Sequence, residues 1–351
     1  MIVPSPEVKG GIAAVCSRYY DSPLTEDYDL TFLESYRDGT KFQKLVKALG
    51  CYRAFRRLLR EDPPDLLHVQ SSFGPSFFRK LPLIRMAKKR GIPVIDQLHG
   101  SDLEGLFYRQ NDRRKALVRE VYTSCDRLVV LSEHWKEALL RIAPEAKIEV
   151  LPNYAEKTTI PDTGADDLRE AKKQVLFLGM LTQAKGIDDF PEVVRRVLEA
   201  VPDASFVFAG EGDVDAVTAK LSEKERARTA FPGWIRGKEK EQLLRESAVL
   251  FFPSRMEAFP MAVLEAMAHA LPVVSCAVGG IPELVAKEQN GYLFAPGDTK
   301  AMADAIICLL TQRDKRESMG RNAYRLAQEK FSSGAHVRKL EEIYEEVLRH
   351  G

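Results

Sequence analysis

Glu257 and Glu265 lie on either side of what the residue types mark as the start of a helix. Before them, Val249-Leu250-Phe251-Phe252 is an apolar run closed by Pro253, the pattern of a buried strand. The run from Met261 to Ala270 is rich in Ala, Leu and Met, which are strong helix formers. Pro260 suits the position before it, because its missing N–H would have had no partner there. The segment is therefore expected to be strand, loop, helix, with Glu257 before the helix and Glu265 inside its N-terminal part. The first N–H groups of a helix have no intrahelical partner and carry partial positive charge, so they form a site for phosphate. Carboxylates there would repel the phosphate itself. They make sense as acceptors of hydrogen bonds from neighbouring hydroxyls, Glu257 from a pyranose and Glu265 from a ribose, and that combination describes a sugar nucleotide. Taken alone, the pair fits two solvated helix charges equally well.

Such residues need elements to hold them. The first half of the chain alternates strand and helix, with strands expected at Met1–Val3, Leu30–Leu33, Leu66–Gln70, Val94–Leu98, Arg127–Leu131 and Ile148–Leu151. Its clearest helix is Lys41–Arg60, where Phe42, Leu45, Val46, Leu49, Tyr52, Phe55 and Leu59 recur near helical spacing. The second half repeats the scheme, with strands at Gln174–Leu178, Ser205–Phe208, Thr229–Phe231, Val249–Phe252, Pro272–Ser275 and Tyr292–Phe294. Alternation of this kind implies parallel sheets covered by helices, twice over. Between the halves, Pro152 to Asp167 is polar and aperiodic and marks the linker. Amphipathic helices at Lys300–Leu310, Glu317–Lys330 and His336–Arg349 close the chain.

Ligands of open parallel sheets bind beyond the carboxyl ends of the strands, and the notable residues fall in those loops. Lys9-Gly10-Gly11-Ile12 turns from the first strand into a helix, and a tight turn explains its glycines as well as a ligand does. The strand before it is short for a central strand, which leaves open whether residues precede Met1. His99-Gly100-Ser101-Asp102 follows Val94–Leu98, a position where a histidine meets a ligand. His134 follows Ser132, an ordinary helix N-cap, and is expected to be structural. In the second half, Gly179-Met180-Leu181 leads to Lys185-Gly186. Gly210-Glu211-Gly212 lacks the third glycine of a dinucleotide fingerprint. Asp213-Val214-Asp215 opens a helix, where the dipole alone favours acids. Pro232-Gly233-Trp234-Ile235-Arg236 follows another strand, and Trp234 suits a ligand wall and a core position alike. Gly279-Gly280 suits close backbone approach, and Asp298 reads as an N-cap.

At 351 residues the chain can build two cores, and its 45% hydrophobic and 29% charged content is that of an ordinary soluble enzyme. Cys16, Cys51, Cys125, Cys276 and Cys308 are scattered and lack C-x-x-C spacing, which argues for reduced thiols in a cytosol and against a disulfide framework or zinc site. No signal peptide is expected, since Pro4 and Pro6 interrupt the start. The longest uncharged stretch, Ala266 to Pro282, holds His269, Pro272 and the Gly279-Gly280 pair and reads as helix end, strand and turn, not as a membrane span. The net charge of +1 hides an asymmetry: residues 41–90 carry 13 basic side chains against three acidic ones. Such a split marks attraction to an anionic surface or to nucleic acid.

Leu250–Glu283, with Gly179–Gly186 and His99–Asp102, resembles the retaining, nucleotide-sugar-dependent glycosyltransferases of family 4, with their glycogen-synthase-like donor motif. Two glutamates separated by seven residues frame the same loop in that family, and Glu257 and Glu265 match them; Ala258 stands where the family usually has glycine. The resemblance extends over nearly the whole chain. It implies an α/β chain of the GT-B fold, two Rossmann-like parallel-sheet domains facing across a cleft. Residues 1–155 would bind the acceptor, joined by a C-terminal helix at about 332–351, and residues 156–331 would bind the donor. His99, Lys185 and Glu257 are then the catalytic candidates, His99 contacting the donor sugar and Lys185 gripping the diphosphate. Gly10, Gly11, Gly179, Gly210, Trp234, Ile235, Phe259, Pro260, Met261 and Glu265 are the implied donor contacts. The family's arginine after the first glycine is Met180 here, so either Lys185 and the helix N-terminus suffice or another arginine reaches in.

The reaction so implied moves a sugar from a nucleoside diphosphate sugar to a glycan or lipid-linked acceptor, with retention and with neither cofactor nor metal, in cell-surface polysaccharide biosynthesis. Retaining hydrolases use a carboxylate nucleophile; no convincing candidate is present, which favours front-side displacement. The expected setting is the cytoplasm, with a hold on the inner face of the cytoplasmic membrane through residues 41–90, Arg79, Lys80, Lys88 and Lys89 among them. Nucleic acid is not an expected partner. Two alternatives stay open: a sugar-nucleotide epimerase on the same fold, and a non-catalytic membrane-surface module that binds sugar nucleotides.

Overall fold

In the computed structural model, which describes residues 1–8, 10–156, 158 and 163–350, the apolar runs pair into two six-stranded parallel sheets. The first contains β1 (Ile2–Pro4), β2 (Leu33–Tyr36), β3 (Leu67–Ser71), β4 (Val94–Leu98), β5 (Arg127–Val130) and β6 (Ile148–Val150), in the order β2-β1-β3-β4-β5-β6. The second contains β7 (Gln174–Leu178), β8 (Ser205–Ala209), β9 (Thr229–Gly233), β10 (Val249–Phe252), β11 (Val273–Cys276) and β12 (Gly291–Phe294), in the order β12-β11-β10-β7-β8-β9. Central strands such as β7, β10 and β11 are buried along their whole length, as mostly apolar strands covered on both faces must be. Strand order reverses between β1 and β3 in one sheet and between β7 and β10 in the other. Loops leaving the strands at such a reversal open a crevice where ligands bind.

The chain divides into two units, Met1–Asn153 with Gly334–Gly351, and Tyr154–Ser333. In the first, the Ser333–His350 helix is tied to the sheet by buried polar contacts. His336 Nδ1–H donates to the Pro152 carbonyl at 2.8 Å, so its Nε2 accepts from the Tyr19 hydroxyl, also at 2.8 Å. Tyr344 Oη and His68 Nδ1 are 2.7 Å apart, and Arg127 reaches Glu346 at 2.9 Å. In the second unit an aromatic cluster fills the core beside β7, with Phe190 stacked on Phe208 at 4.2 Å and Phe177 on Phe252 at 5.8 Å. Arg169 caps two helix C-termini of that unit, donating to the carbonyls of His269 at 2.7 Å and Arg245 at 3.0 Å. Burial pushes the Cys16 and Cys276 thiols up to about 12, so both stay protonated and inert.

Two expectations need correction. The strand expected at Leu30–Leu33 is β2, Leu33–Tyr36, paired with β1 from Ile2 opposite Leu33. It is an edge strand with only Ser35 buried, so the apolar run before it carried the stronger signal without being the paired segment. The basic face expected over residues 41–90 is also reduced in its second cluster, residues 79–90. Lys80 is 3% exposed and donates to the Gln70 carbonyl beside buried Asp96. Arg79 lies over the Tyr36 ring at 4.8 Å, and Lys88 pairs with Asp126 at 2.7 Å. Phe77 and Leu83 are core residues. The Pro75–Lys88 helix therefore spends much of its charge inside the unit. The expected linker, 152–167, falls partly outside the described residues. No described helix is long and apolar enough to cross a membrane.

Candidate functional site

The two loops that leave the reversal point of the second sheet are stitched together. After β7 the chain reaches the short turn Gln183–Lys185, and Gly186 follows with φ 77°, a left-handed conformation. A Cβ at Gly186 would sit 2.1 Å from the Pro253 carbonyl, so only glycine lets this turn lie against the loop after β10. The Ala184 carbonyl accepts from Arg255 N at 2.9 Å and from Ser254 Oγ at 3.2 Å. These contacts bring the Lys185 ammonium onto Glu257, with which it forms an ion pair, and 5.7 Å from the centre of the Phe252 ring. Glu257 is only 6% exposed.

From the other side, the Gly279-Gly280 turn holds the same loop. Gly279 has φ 53°, its missing Cβ would lie 1.8 Å from the Glu257 carbonyl, and Gly280 N donates to the Ala258 carbonyl at 3.1 Å. Ala258, the departure from glycine, is not among the non-glycine residues with positive φ, so its backbone asks for no glycine. Phe259 is buried against Phe331 at 5.5 Å. Pro260 then caps the Met261–Ala268 helix, whose first turn has no side-chain cap and no acidic residue. Its leading N–H groups are thus left for an anion.

Glu265, further along this helix, pairs with Lys240 at 2.8 Å, and its carbonyl accepts from His269 Nδ1 at 2.8 Å. Lys240 was missed from sequence; it lies in the Lys238–Glu246 helix just after the Trp234 loop, and only tertiary packing joins it to Glu265. Trp234 is half-buried and Ile235 buried, directly after β9. Gly179 and Gly210 sit at the ends of β7 and β8, where Gly179 N donates to the Ala209 carbonyl at 3.0 Å. Met180 beside them is 40% exposed, so no core is packed around it. Arg255 is bonded to the Lys185 turn through its backbone N–H. Its guanidinium holds Asp189 at 3.0 Å, and burial pushes the Asp189 carboxyl up while Arg255 pulls it down.

His99, Gly10 and Gly11 belong to the first unit. Gly10 stands at the N-cap of the Gly11–Arg18 helix; Lys9 lies outside the described residues. His99 follows β4, half-buried, and its Nε2–H donates to Gln70 Oε1 at 2.6 Å. The Gln70 amide in turn donates to Gln97 Oε1 and to His68 Nε2, each at 3.0 Å, and the line ends at Tyr344. Burial, with Lys80 and His336 adding to it, pushes the His99 imidazole down to about 3, so it is neutral at pH 7 with Nδ1 as its free lone pair. The expected N-caps are present: Ser132 accepts from Trp135 N at 3.3 Å, Asp213 from Ala216 N at 2.9 Å and Asp298 from Ala301 N at 3.2 Å. Asp213 is thereby a cap, and the described residues contain no cluster of His, Cys, Asp and Glu arranged to hold a metal ion.

Two family models match the chain: Glycosyltransferase Family 4 over residues 14–155, and Glycosyl transferases group 1 over residues 163–326. Among curated relatives, an uncharacterized glycosyltransferase of Methanocaldococcus jannaschii is 24% identical over 93% of this chain and 88% of its own. The N-acetyl-alpha-D-glucosaminyl L-malate synthase of Bacillus anthracis is 26% identical over 81% of this chain and 75% of its own. Among solved structures, sucrose-phosphate synthase from Thermosynechococcus elongatus superposes with a TM-score of 0.78 at 18% identity, covering 100% of this chain and 99% of its own. Anabaena HepE, solved in complex with UDP, superposes with a TM-score of 0.76 at 16% identity, covering 98% of each chain. The two sheets and these neighbours identify the fold as GT-B. None of these relatives favours an epimerase or a non-catalytic module.

Proposed function

Because the chain belongs to the glycosyltransferases of the GT-B fold and family 4 type, we propose that it moves a sugar from a nucleoside diphosphate sugar to a hydroxyl of a glycan or lipid-linked acceptor, with retention at the anomeric carbon. One observation carries this: Lys185, Glu257 and the uncapped start of the Met261–Ala268 helix converge where strand order reverses in the second sheet. A diphosphate there meets an ammonium and several backbone N–H groups. The buried Glu257 carboxylate beside them suits a sugar hydroxyl, which also donates where phosphate would be repelled. Glu265, paired with Lys240, is the carboxylate this reading gives to the ribose. The UDP complex of Anabaena HepE supports a nucleoside diphosphate as the kind of leaving group.

In the reaction the bond from the anomeric carbon to the diphosphate oxygen breaks while the acceptor oxygen bonds on the same face, and the acceptor proton passes to the departing phosphate oxygen. Negative charge grows on the diphosphate, so fixed positive charge at Lys185 and the helix start stabilises the transition state more than the bound donor. Those groups answer the charge with neither cofactor nor metal. His99, neutral with its Nε2–H fixed by Gln70, is the candidate to touch the sugar near the reacting carbon. Cell-surface polysaccharide assembly in the cytoplasm is the setting that fits such an acceptor. Calorimetry with nucleoside diphosphates tests the donor site: Glu265→Gln should weaken binding by about 1.5–3 kcal/mol, the range for a hydrogen bond to a charged group. Equal affinity for wild type and variant would remove the ribose assignment.

A further inference from the structure

The Lys41–Glu61 helix presents a face that nothing in the described structure covers. Its inner side is buried through Ala48, Cys51, Phe55 and Leu59. On another side Phe42, Leu45, Val46 and Leu49 are 73%, 56%, 51% and 42% exposed, although large apolar side chains in four adjacent positions of one helix face are costly to leave in water. Their spacing is i, i+3, i+4, i+7, and the same stripe continues along the helix as Arg53, Arg56, Arg57 and Arg60, all exposed. Arg53 and Arg56 make no ion pair among the described residues, and Arg57 meets only Glu61, at 3.7 Å, with both side chains in solvent. Lys44 and Lys47 turn away from the stripe, to the Tyr36 ring and to Glu34. The start of the helix is fixed by a capping box in which Gln43 N donates to Thr40 Oγ1 at 3.3 Å and Thr40 N to Gln43 Oε1 at 2.9 Å, so the apolar cluster sits on an ordered end.

We propose that this stripe is a membrane-docking surface that lies on an anionic bilayer, with Phe42, Leu45, Val46 and Leu49 in the boundary between headgroups and acyl chains and Arg53, Arg56 and Arg60 on lipid phosphates. The apolar end has the side chains that enter the headgroup–acyl boundary, and the arginines that follow on the same face have the charge that anionic headgroups attract. A second copy fits it less well. Pairing over the whole stripe would set arginine against arginine or against the apolar cluster, and pairing over the apolar end alone would leave Arg53, Arg56 and Arg60 without a counter-charge, whereas an anionic bilayer meets both ends. The surface lies within the basic segment expected over residues 41–90, but it replaces the 79–90 part, where Lys80 is buried, Arg79 stacks on Tyr36 and Lys88 pairs with Asp126, by an apolar cluster and arginines of the Lys41–Glu61 helix. It stands apart from the donor site, and vesicle binding requires no turnover, so it can fail or hold independently of glycosyl transfer.

Co-sedimentation of the full chain with vesicles of phosphatidylcholine alone and of phosphatidylcholine with phosphatidylglycerol tests the proposal. The wild type should bind the anionic vesicles at least tenfold more tightly, and less so as salt rises. Phe42→Ser with Leu45→Ser should lose tenfold or more while keeping every charge, and Arg53→Glu with Arg56→Glu should lose as much while keeping the apolar cluster. Lys89→Glu with Arg113→Glu, an equal charge change on exposed residues outside this helix, should leave binding near the wild-type level. All substituted side chains are exposed, and circular dichroism should show unchanged helix content. Indifference to lipid charge, absence of sedimentation, or equal losses from the Lys89 and Arg113 variant would overturn it. So would a wild-type dimer in light scattering that Phe42→Ser with Leu45→Ser dissociates, which would make a second copy the occupant.

Discussion

Lys185 and Glu257 form an ion pair between the loops that leave β7 and β10, and among the described residues the Lys185 side chain otherwise meets only the face of Phe252. Pairing buries most of the carboxylate while the ammonium keeps part of its surface. Loss of the lysine should therefore cost more than loss of the negative charge, since it strands a buried carboxylate. Lys185→Met is expected to destabilise the second unit by about 1–3 kcal/mol and Glu257→Gln by less, with a coupling of about 0.5–3 kcal/mol in a urea-unfolding double-mutant cycle. Additive effects would mean that the pair contributes no stability.

Met180 occupies an exposed position next to Gly179, so an arginine there meets no packed core. Met180→Arg should tighten nucleoside diphosphate binding by about 0.5–1 kcal/mol, roughly two- to fivefold, and the gain should shrink as salt is added. Weaker binding would show that another residue already serves the phosphate and is displaced by the added guanidinium.

Three histidines of the first unit are held neutral by burial: His68 and His99 are pushed down to about 3 and His336 to about 4. Unfolded, each would take up a proton near pH 6.5, so between pH 6.5 and 4 the unfolded chain binds more protons than the native one and stability is lost as the pH is lowered. Each group contributes about 1.4 kcal/mol per pH unit in that window. Asp96 acts in the opposite sense, because burial pushes its carboxyl up to about 6 and the native state takes up its proton first. Two histidines' worth of slope should remain. Thermal unfolding between pH 7 and 4.5 measures it, and His336→Gln should flatten the slope; a Tm constant across that range would contradict the burial of neutral imidazoles.

The elements and the donor loop were legible because their signals are local. Apolar runs closed by proline gave β10, and a proline before an Ala-, Leu- and Met-rich run gave the Met261–Ala268 helix start. The Lys185–Glu257 and Lys240–Glu265 pairs were not legible. Each joins residues far apart in sequence through strand order, which periodicity does not carry. The same limit applied to Lys80 and Arg79. Their charge reads as surface until β3 and β4 enclose Lys80 and Tyr36 covers Arg79. β2 was displaced because an edge strand with a single buried residue leaves little apolar pattern.

Gln70 offers a test of how His99 is positioned. With Gln70 Oε1 accepting from Nε2–H, the imidazole is fixed in one tautomer. Gln70→Glu replaces that acceptor by a carboxylate and should raise the His99 pKa by about one unit or more, read by NMR titration, while lowering turnover more than donor affinity. An unchanged titration would mean that the contact does not govern the imidazole.

Nucleoside diphosphate release from a panel of nucleoside diphosphate sugars, followed without added acceptor, tests the central claim most directly. Water can replace the acceptor slowly in such a site, so at least one donor should be hydrolysed. Lys185→Ala should slow that release by a hundredfold or more, about the loss seen when one donor to a developing oxyanion is removed. Folded protein that releases no nucleoside diphosphate from any donor, or a Lys185→Ala variant as active as the wild type, would contradict it.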